Sequence, residues 1–512
     1  MAAVIFLAAF FFFQRGNGFP VHYHPDEPGK ARQAIDAGFN FNHPLLLLQA
    51  TRGVLALGGG ARSPQSVVEA GRMVSAFFAA LAAGLIALLA ARMAGSLAGA
   101  CAGLLAALNQ QFYELAHYMK EDPALAAGVA AAALFFARFA GMPGVGNFAL
   151  LCAACGLAAC GKYIGVVTLL LPVAALIARR DAMAGRAGAA LSSGAAAFAA
   201  VILAVNFPML TAPGVMTRNV GEEIDFVVRG NKILTREVPH GVYGAVFRTS
   251  TNPAIWVLLV FFTADLLVGL AGRFLPQRWP KAADWLKRWP GPGACDLVSW
   301  GLFLFGWFYT LLLSFSPKTH HRYFLPVTGL LLVFAAAGAL RARGRAWRPL
   351  ALVTLAAAIV WSALITLEFD SAFARDPRRD LLALIANELP PDAGIAQDNR
   401  VGLPMPGDPR SPDPGIRLPQ TVTGSMFAAD LGTVAELRAR GIRYVAVSGS
   451  IFNRFFLKGQ RPREDGKDDF LRRQAFYNDL LTNAKLIWHS PSGRLQYLQP
   501  DLRLYEIGEN LD

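Results

Sequence analysis

Asp26 and Glu27 stand side by side between two prolines, in the run Val21-His22-Tyr23-His24-Pro25-Asp26-Glu27-Pro28-Gly29-Lys30. A carboxylate within hydrogen-bond reach of a hydroxyl can take its proton as the oxygen forms a new bond, so this pair is a candidate base. Pro-Asp-Glu-Pro is also good turn chemistry, and a solvated turn is the plainer alternative. Phe41-Asn42-His43-Pro44 comes next and adds another histidine. A second acidic group gathers Glu114, His117, Lys120, Glu121 and Asp122 just ahead of Pro123. An aspartate before proline is an ordinary helix start, and that reading is compatible with membership of a site.

The cations point to a different task. Lys162, in Gly161-Lys162-Tyr163, falls between two apolar runs, where a lysine either snorkels to the headgroups or pairs with an anion. Ser316-Pro317-Lys318-Thr319-His320-His321-Arg322-Tyr323 packs cations and hydroxyls into eight positions. A phosphate-bearing lipid headgroup needs donors of this kind, although interfacial Arg and Tyr also serve simply to orient a helix. Neither His22 with His24 nor His320 with His321 has a matched partner set, so no metal residues are assigned and a divalent metal is the less favoured reading. No cofactor is otherwise indicated. Cys152 and Cys155 form a CxxC among five cysteines, but no second ligand pair completes a zinc site, and small core residues fit better.

The elements that must hold these residues belong in lipid. The 512 residues are 54% hydrophobic and 16% charged, with mean hydropathy +0.39, where soluble domains carry roughly 25% charged residues. Met1–Phe13 is apolar but short for a span; with no basic segment before it and no small-residue cleavage site after it, it reads as a first span with a shortened start rather than a signal peptide. Further apolar runs lie at Val67–Met93, Leu97–Phe112, Ala124–Phe139, Phe148–Cys160, Ile164–Ala178, Ala187–Phe207, Pro253–Gly272, Leu297–Phe315, Tyr323–Leu340 and Leu350–Leu367. That makes about eleven helices, each able to satisfy its own backbone in a bilayer. Pro44–Leu57, broken by Gln49, Thr51 and Arg52, suits a helix lying in the interface.

Basic residues set the orientation. Arg92, Arg138, Arg179, Arg180, Arg186, Arg273, Arg278, Lys281, Lys287, Arg288, Arg341, Arg343, Arg345 and Arg348 all fall on one side of an eleven-span chain. By the positive-inside rule that side is cytoplasmic, with Trp279, Trp285 and Trp289 anchoring its longest loop. The net charge of +13 is thus a topology signal, and nucleic-acid binding is not needed to explain it. The opposite side receives loops 14–65, 113–122, 208–252 and 316–322, hence the Asp26–Glu27, Glu114–Asp122 and Ser316–Arg322 groups. Residues 369–512 read as a small α/β domain on the same side. Helical spacing covers Arg378–Glu388 and Asp468–Ala484, strand patterns Gly394–Gln397, Arg443–Ser448 and Leu502–Ile507, and Gly402–Pro419 is a loop rich in Pro, Gly and Asp.

Taken in order, His24-Pro25-Asp26-Glu27 with Asn42-His43-Pro44-Leu45, then Glu121-Asp122-Pro123-Ala124-Leu125, then the run from Gly161 to Pro172, then His320-His321-Arg322-Tyr323-Phe324-Leu325-Pro326, resemble the GT-C fold of polyprenyl-phosphate-sugar-dependent glycosyltransferases. The nearest branch holds the protein O-mannosyltransferases and the lipid A aminoarabinose transferase, and Asp376–Asp398 is similar to the segment after the last span in such proteins. The resemblance implies an α-helical catalytic domain over residues 1–368 and a periplasmic domain over 369–512. It implies a multi-pass protein of a bacterial inner membrane, with the N-terminus cytoplasmic. The enzyme would move a sugar from a polyprenyl-phosphate carrier to a lipid, glycan or protein acceptor, inverting the anomeric centre in one displacement.

On that resemblance Asp26 is the general base or acceptor-orienting carboxylate, supported by Glu27, and Asp122 is the second catalytic acid, with Glu121 beside it. Lys162, Lys318, His321, Arg322 and Tyr323 would hold the carrier phosphate, and His24, Lys30 and His43 are acceptor-side or supporting residues. The aminoarabinose-type pattern has an arginine soon after the acid pair, where this chain has Pro28-Gly29-Lys30. A transporter or lipid flippase is the competing class, but transporters concentrate charge near the midplane and show internal repeats. An assembly protein with a periplasmic domain would leave Asp26 and Glu27 without a task.

Overall fold

The computed structural model describes residues 1–20, 23–36, 38–59, 63–229, 235–236, 250–274, 297–315, 321–342, 347–405, 416–457, 460–462, 464–495 and 497–508. His22, Lys318 with the rest of 316–320, the tryptophan loop, Cys295, Arg343 and Arg345 lie outside them, as do residues 406–415 of the loop Gly402–Pro419. The chain divides into two compact units. One comprises Met1–Asn17, Gln33–Glu223 and Pro239–Leu367; the other comprises Gly18–Arg32, Ile224–Val238 and Glu368–Asp512.

The first unit is helical. Among the described residues seven helices are long and apolar enough to cross a membrane, among them Pro64–Ala94, Asp122–Gly141, Ala187–Asn206 and Leu297–Ser314. Five shorter apolar helices accompany them, including Ala2–Phe13, Leu46–Gly58, Ser96–Ala107 and Val145–Gly161. Each apolar run named from sequence contains a helix, although Ile164–Ala178 begins as a 3-10 segment, Tyr163–Leu169, and Leu97–Phe112 is split at Leu108 and Asn109. Asn109 causes that split: its side chain accepts from the backbone N–H of Gln111 and Phe112 and so caps the next helix, Gln110–Ala116. Leu46–Gly58 buries Leu47, Leu48 and Thr51 on one face, while Arg52 donates to the carbonyls of Gln33 and Gly38.

Backbones approach closely between Asp122–Gly141 and Val145–Gly161. A Cβ on Gly128 would lie 2.4 Å from the Ala158 backbone, and one on Gly161 would lie 2.4 Å from the Leu125 nitrogen. Real Cβ atoms do not come that near backbone, so glycine at both positions is what lets the two helices touch. The contact matters because Gly161 precedes Lys162 and Leu125 comes less than one turn after Asp122.

The second unit is built on a five-stranded sheet, ordered Thr421–Ser425, Gly394–Asp398, Ile442–Ser448, Leu502–Glu506 and Lys485–Ser490. The first three strands are parallel and the last two pair antiparallel. Gly394–Asp398 is buried throughout, as a strand covered on both faces must be. One face carries Leu381, Leu382 and Ile385 of helix Pro377–Glu388; the other carries Phe470, Phe476 and Leu480 of helix Lys467–Asn483.

Asp398 ends the strand Gly394–Asp398 and is fully buried, accepting from Tyr477 Oη at 2.7 Å, Ala428 N at 2.7 Å and Ser448 N at 3.0 Å. Burial pushes its carboxyl up to about 6, against the downward pull of those three donors and of Arg454. Because the folded state holds this proton more tightly than the unfolded chain, whose aspartates titrate near ~3.9, stability from this group is full below about pH 4 and is lost as pH rises through about 6. The loss amounts to about 3 kcal/mol. Asp398→Asn should flatten the fall in thermal midpoint between pH 4 and 6.5, and an unchanged slope would assign that fall elsewhere.

Candidate functional site

In the helical unit, the start of Asp122–Gly141 and the end of Val145–Gly161 bring together residues 40 positions apart. Lys162 Nζ lies 2.9 Å from Asp122 Oδ1, and the Asp122 side chain is 1% exposed. Lys162 has extended backbone where the helix ends, so its side chain leaves the helix instead of continuing along it. The Asp122 carboxylate therefore meets a cation rather than capping its own helix, where Glu121 occupies the N-cap position without a side-chain bond. Lys120 and Arg322 add their positive fields to that of Lys162 at Asp122.

His321–Phe324 is a short 3-10 turn that feeds directly into helix Leu325–Arg341. The turn lays the Tyr323 ring 4.1 Å from Lys162 Nζ, and the Arg322 guanidinium 5.4 Å from the centroid of the same ring. Cation–π contacts of this kind hold both charges near one point. Gln111 fixes the turn from below: its amide donates to the His321 carbonyl at 2.5 Å and its oxygen accepts from Thr328 Oγ1 at 2.9 Å. Tyr309 Oη donates to the Tyr323 carbonyl at 3.5 Å, and His321 Nε2 lies 3.7 Å from Glu114 Oε2. Tyr163, next to Lys162, donates its hydroxyl to the Phe41 carbonyl at 2.7 Å, which fastens the segment bearing His43 beside the cluster.

Asp122, Lys162, His321, Arg322 and Tyr323 thus come together, with Glu121 adjacent. His117 does not join them; its ring nitrogens meet the carbonyls of Tyr113 and Arg15 at 2.6 and 2.7 Å. Gln111, Tyr163 and Tyr309 were not singled out from sequence. Each lies within or at the edge of an apolar run, where nothing distinguishes a supporting polar side chain from a buried one. Cys152 and Cys155 are buried free thiols. Among the described residues, no three His, Cys, Asp or Glu side chains converge as metal ligands would.

Asp26, Glu27, His24 and Lys30 belong to the second unit. Glu27 opens helix Glu27–Ile35, placing an acid in its first turn where the helix dipole favours it. Glu27 and His24 are buried and Asp26 is half-buried. The His24 ring packs against Tyr497 at 4.5 Å between centroids, and His24 Nδ1 accepts from the Asp26 backbone N–H at 3.2 Å. Pro25 and Asp26 form a turn, as Pro-Asp-Glu-Pro allows, but Asp26 is half-buried there and its backbone is bound to a buried histidine.

The helical unit and the sheet domain together have a fold similar to that of solved membrane-protein structures. Residues 59–211, which carry Asp122 and Lys162, match the family described as dolichyl-phosphate-mannose-protein mannosyltransferase. The chain is similar over 98% of its length, and over 97% of the other's, to the crystal structure of ArnT from Cupriavidus metallidurans bound to undecaprenyl phosphate, at TM-score 0.50 and 14% identity. It is also similar to the Archaeoglobus fulgidus oligosaccharyltransferase, at TM-score 0.45 and 11% identity, over 89% of this chain and 71% of that one. No curated protein matches the sequence.

Proposed function

We propose that this protein is a membrane glycosyltransferase that moves a sugar from a polyprenyl-phosphate carrier to a lipid, glycan or protein acceptor, with inversion. The observation that carries the reading is the Lys162–Asp122 pair, with Arg322 and Tyr323 beside it. A phosphate leaving group needs fixed positive charge where its negative charge develops. Lys162 and Arg322 can supply it, and Asp122 holds the lysine in place. Lys318 and His321 are assigned to the same task. Asp26 takes the acceptor's proton, Glu27 supports it, and His24, Lys30, His43 and Glu121 are assigned to acceptor contact or to support of the acids.

The work is assigned to the periplasmic face of a bacterial inner membrane, with the N-terminus cytoplasmic and residues 369–512 forming a periplasmic domain attached to a catalytic domain of residues 1–368. The one-sided distribution of Arg and Lys between the apolar runs supports this orientation. A flippase reading fits less well. Arg341, 3.7 Å from Asp265, closes the helix that begins beside Arg322, so these two charge groups sit at opposite ends of Leu325–Arg341 rather than at its middle.

Mass spectrometry of glycolipids and glycoproteins from a strain lacking this protein should reveal one missing sugar modification, restored by the wild-type chain; an unchanged profile would defeat the proposal. Arg322→Ala should weaken binding of undecaprenyl phosphate about 10-fold or more, the worth of a charge-assisted contact, with Arg322→Lys recovering part of it. Equal affinity of wild type and Arg322→Ala would remove Arg322 from the carrier site.

A further inference from the structure

The segment that carries Asp26 is gripped from several directions by the C-terminal part of its own unit. Phe19 stacks on Tyr23 at 6.4 Å and meets Phe373 at 5.8 Å. Tyr23, 2% exposed, donates its hydroxyl to Asp376 Oδ2. The Arg378 guanidinium lies 4.2 Å from the Tyr23 ring centroid. Arg378 is itself buried, and it donates to the carbonyls of Tyr497 at 2.9 Å, Leu498 at 3.0 Å and Arg400 at 3.2 Å, with Asp376 at 3.6 Å. The Tyr497 ring then meets His24, which holds the Asp26 backbone. An unbroken chain of contacts therefore runs from Asp376 through Arg378 and Tyr497 to His24 and Asp26.

The chemistry exceeds what packing alone requires. Asp376 Oδ1 already caps helix Pro377–Glu388 through the Arg378 N–H at 3.0 Å, yet its second oxygen is given to Tyr23. Burial first, and the Asp376 carboxylate second, push the Tyr23 hydroxyl well above the ordinary tyrosine range, so it remains a donor throughout. A buried arginine supplied with carbonyl partners on several sides costs desolvation that an apolar residue of similar size would avoid. What it provides is direction: a forked, planar group fixes its partners' relative positions more tightly than apolar contact does.

The geometry points to Tyr23, Asp376 and Arg378 as positioning residues for Asp26, so that the sheet domain sets where the loop's carboxylate stands. This rests on the reading of Asp26 as the proton acceptor. A carboxylate displaced by an ångström loses much of its rate advantage, whereas carrier affinity, which depends on other residues, does not change.

Two conservative variants test it in the full chain. Tyr23→Phe keeps the ring under Arg378 and removes only the hydroxyl; Asp376→Asn keeps a good N-cap side chain and weakens the same bond. Each should lower product formation in native membranes about 10-fold, and the double variant should lose no more than either single one. Undecaprenyl phosphate binding should stay at the wild-type value, and the thermal midpoint should fall by only about a few degrees, the cost of one lost hydrogen bond. Full product formation by Tyr23→Phe would overturn the proposal, as would a parallel loss of carrier binding. Asp26→Asn run alongside separates the two ideas: inactive Asp26→Asn with fully active Tyr23→Phe sinks only the positioning role, while fully active Asp26→Asn removes the base reading and this role with it.

Discussion

Asp122→Asn should cut sugar transfer by about 100-fold or more, the scale seen when one preorganised charge contact is lost from an active site. The substitution keeps the shape of the side chain and removes its charge. Lys162 would then stand beside the Tyr323 ring without its carboxylate, 14% exposed, and would turn toward water instead of toward the ring. Breaking a buried pair from one side also costs stability, typically about 3–5 kcal/mol, so lower yield is part of the expected result. The double variant Asp122→Asn with Lys162→Met separates the two effects: neutral on both sides, it should regain yield but not transfer. Wild-type transfer by the single variant would show that the pair is structural only.

Asp26→Asn should reduce transfer by about 100-fold to 10,000-fold, the range that general-base catalysis contributes, with expression and membrane insertion intact. Asparagine accepts a hydrogen bond from an acceptor hydroxyl but cannot take its proton. Because the contacts of this loop run through Tyr23 and His24, neither of which the substitution touches, the segment should keep its place. Carrier binding should be unaffected. Unchanged transfer would exclude Asp26 as the base, and a matching fall in carrier affinity would assign it to the donor instead.

Much of this architecture was legible because membrane helices announce themselves: each needs a long apolar run, and the eleven such runs in the sequence all contain helices. The sheet domain was half legible. Its inner strands Gly394–Asp398 and Ile442–Ser448 carry the short apolar runs Ile395-Ala396 and Tyr444-Val445-Ala446-Val447, but the edge strands Thr421–Ser425 and Lys485–Ser490 are partly exposed and lack a period. Helix Val434–Ala439 carried a readable signal, the capping box formed by Thr433 and Glu436, in a stretch too short to attract notice. Within the candidate site the charged residues declared themselves, since an ion beside lipid needs a reason. Their geometry did not. Whether Asp122 caps a helix or binds Lys162 depends on how closely two backbones pass, and that is decided by Gly128 and Gly161, which in sequence look like any other glycine in an alanine-rich run. The link between Tyr23 and Arg378 was hidden for another reason: Asp376 for Tyr23, and Tyr497 and Leu498 for Arg378, lie more than a hundred residues away, beyond the reach of any local pattern.

Helix Leu325–Arg341 is buried over nearly its whole length and is moored at its far end, where Arg341 reaches Asp265, the Ser299 hydroxyl and the Met93 carbonyl. It therefore behaves as a mast stepped into the surrounding helices, and the turn bearing Arg322 and Tyr323 is its masthead. If the carrier phosphate docks there as proposed, it would meet donors that are already in place, so little of the attraction would be spent on reorganising them. That gain in affinity would come at the expense of adaptability: a bulkier or differently charged headgroup could not be accommodated by shifting that turn without lifting the mast as well.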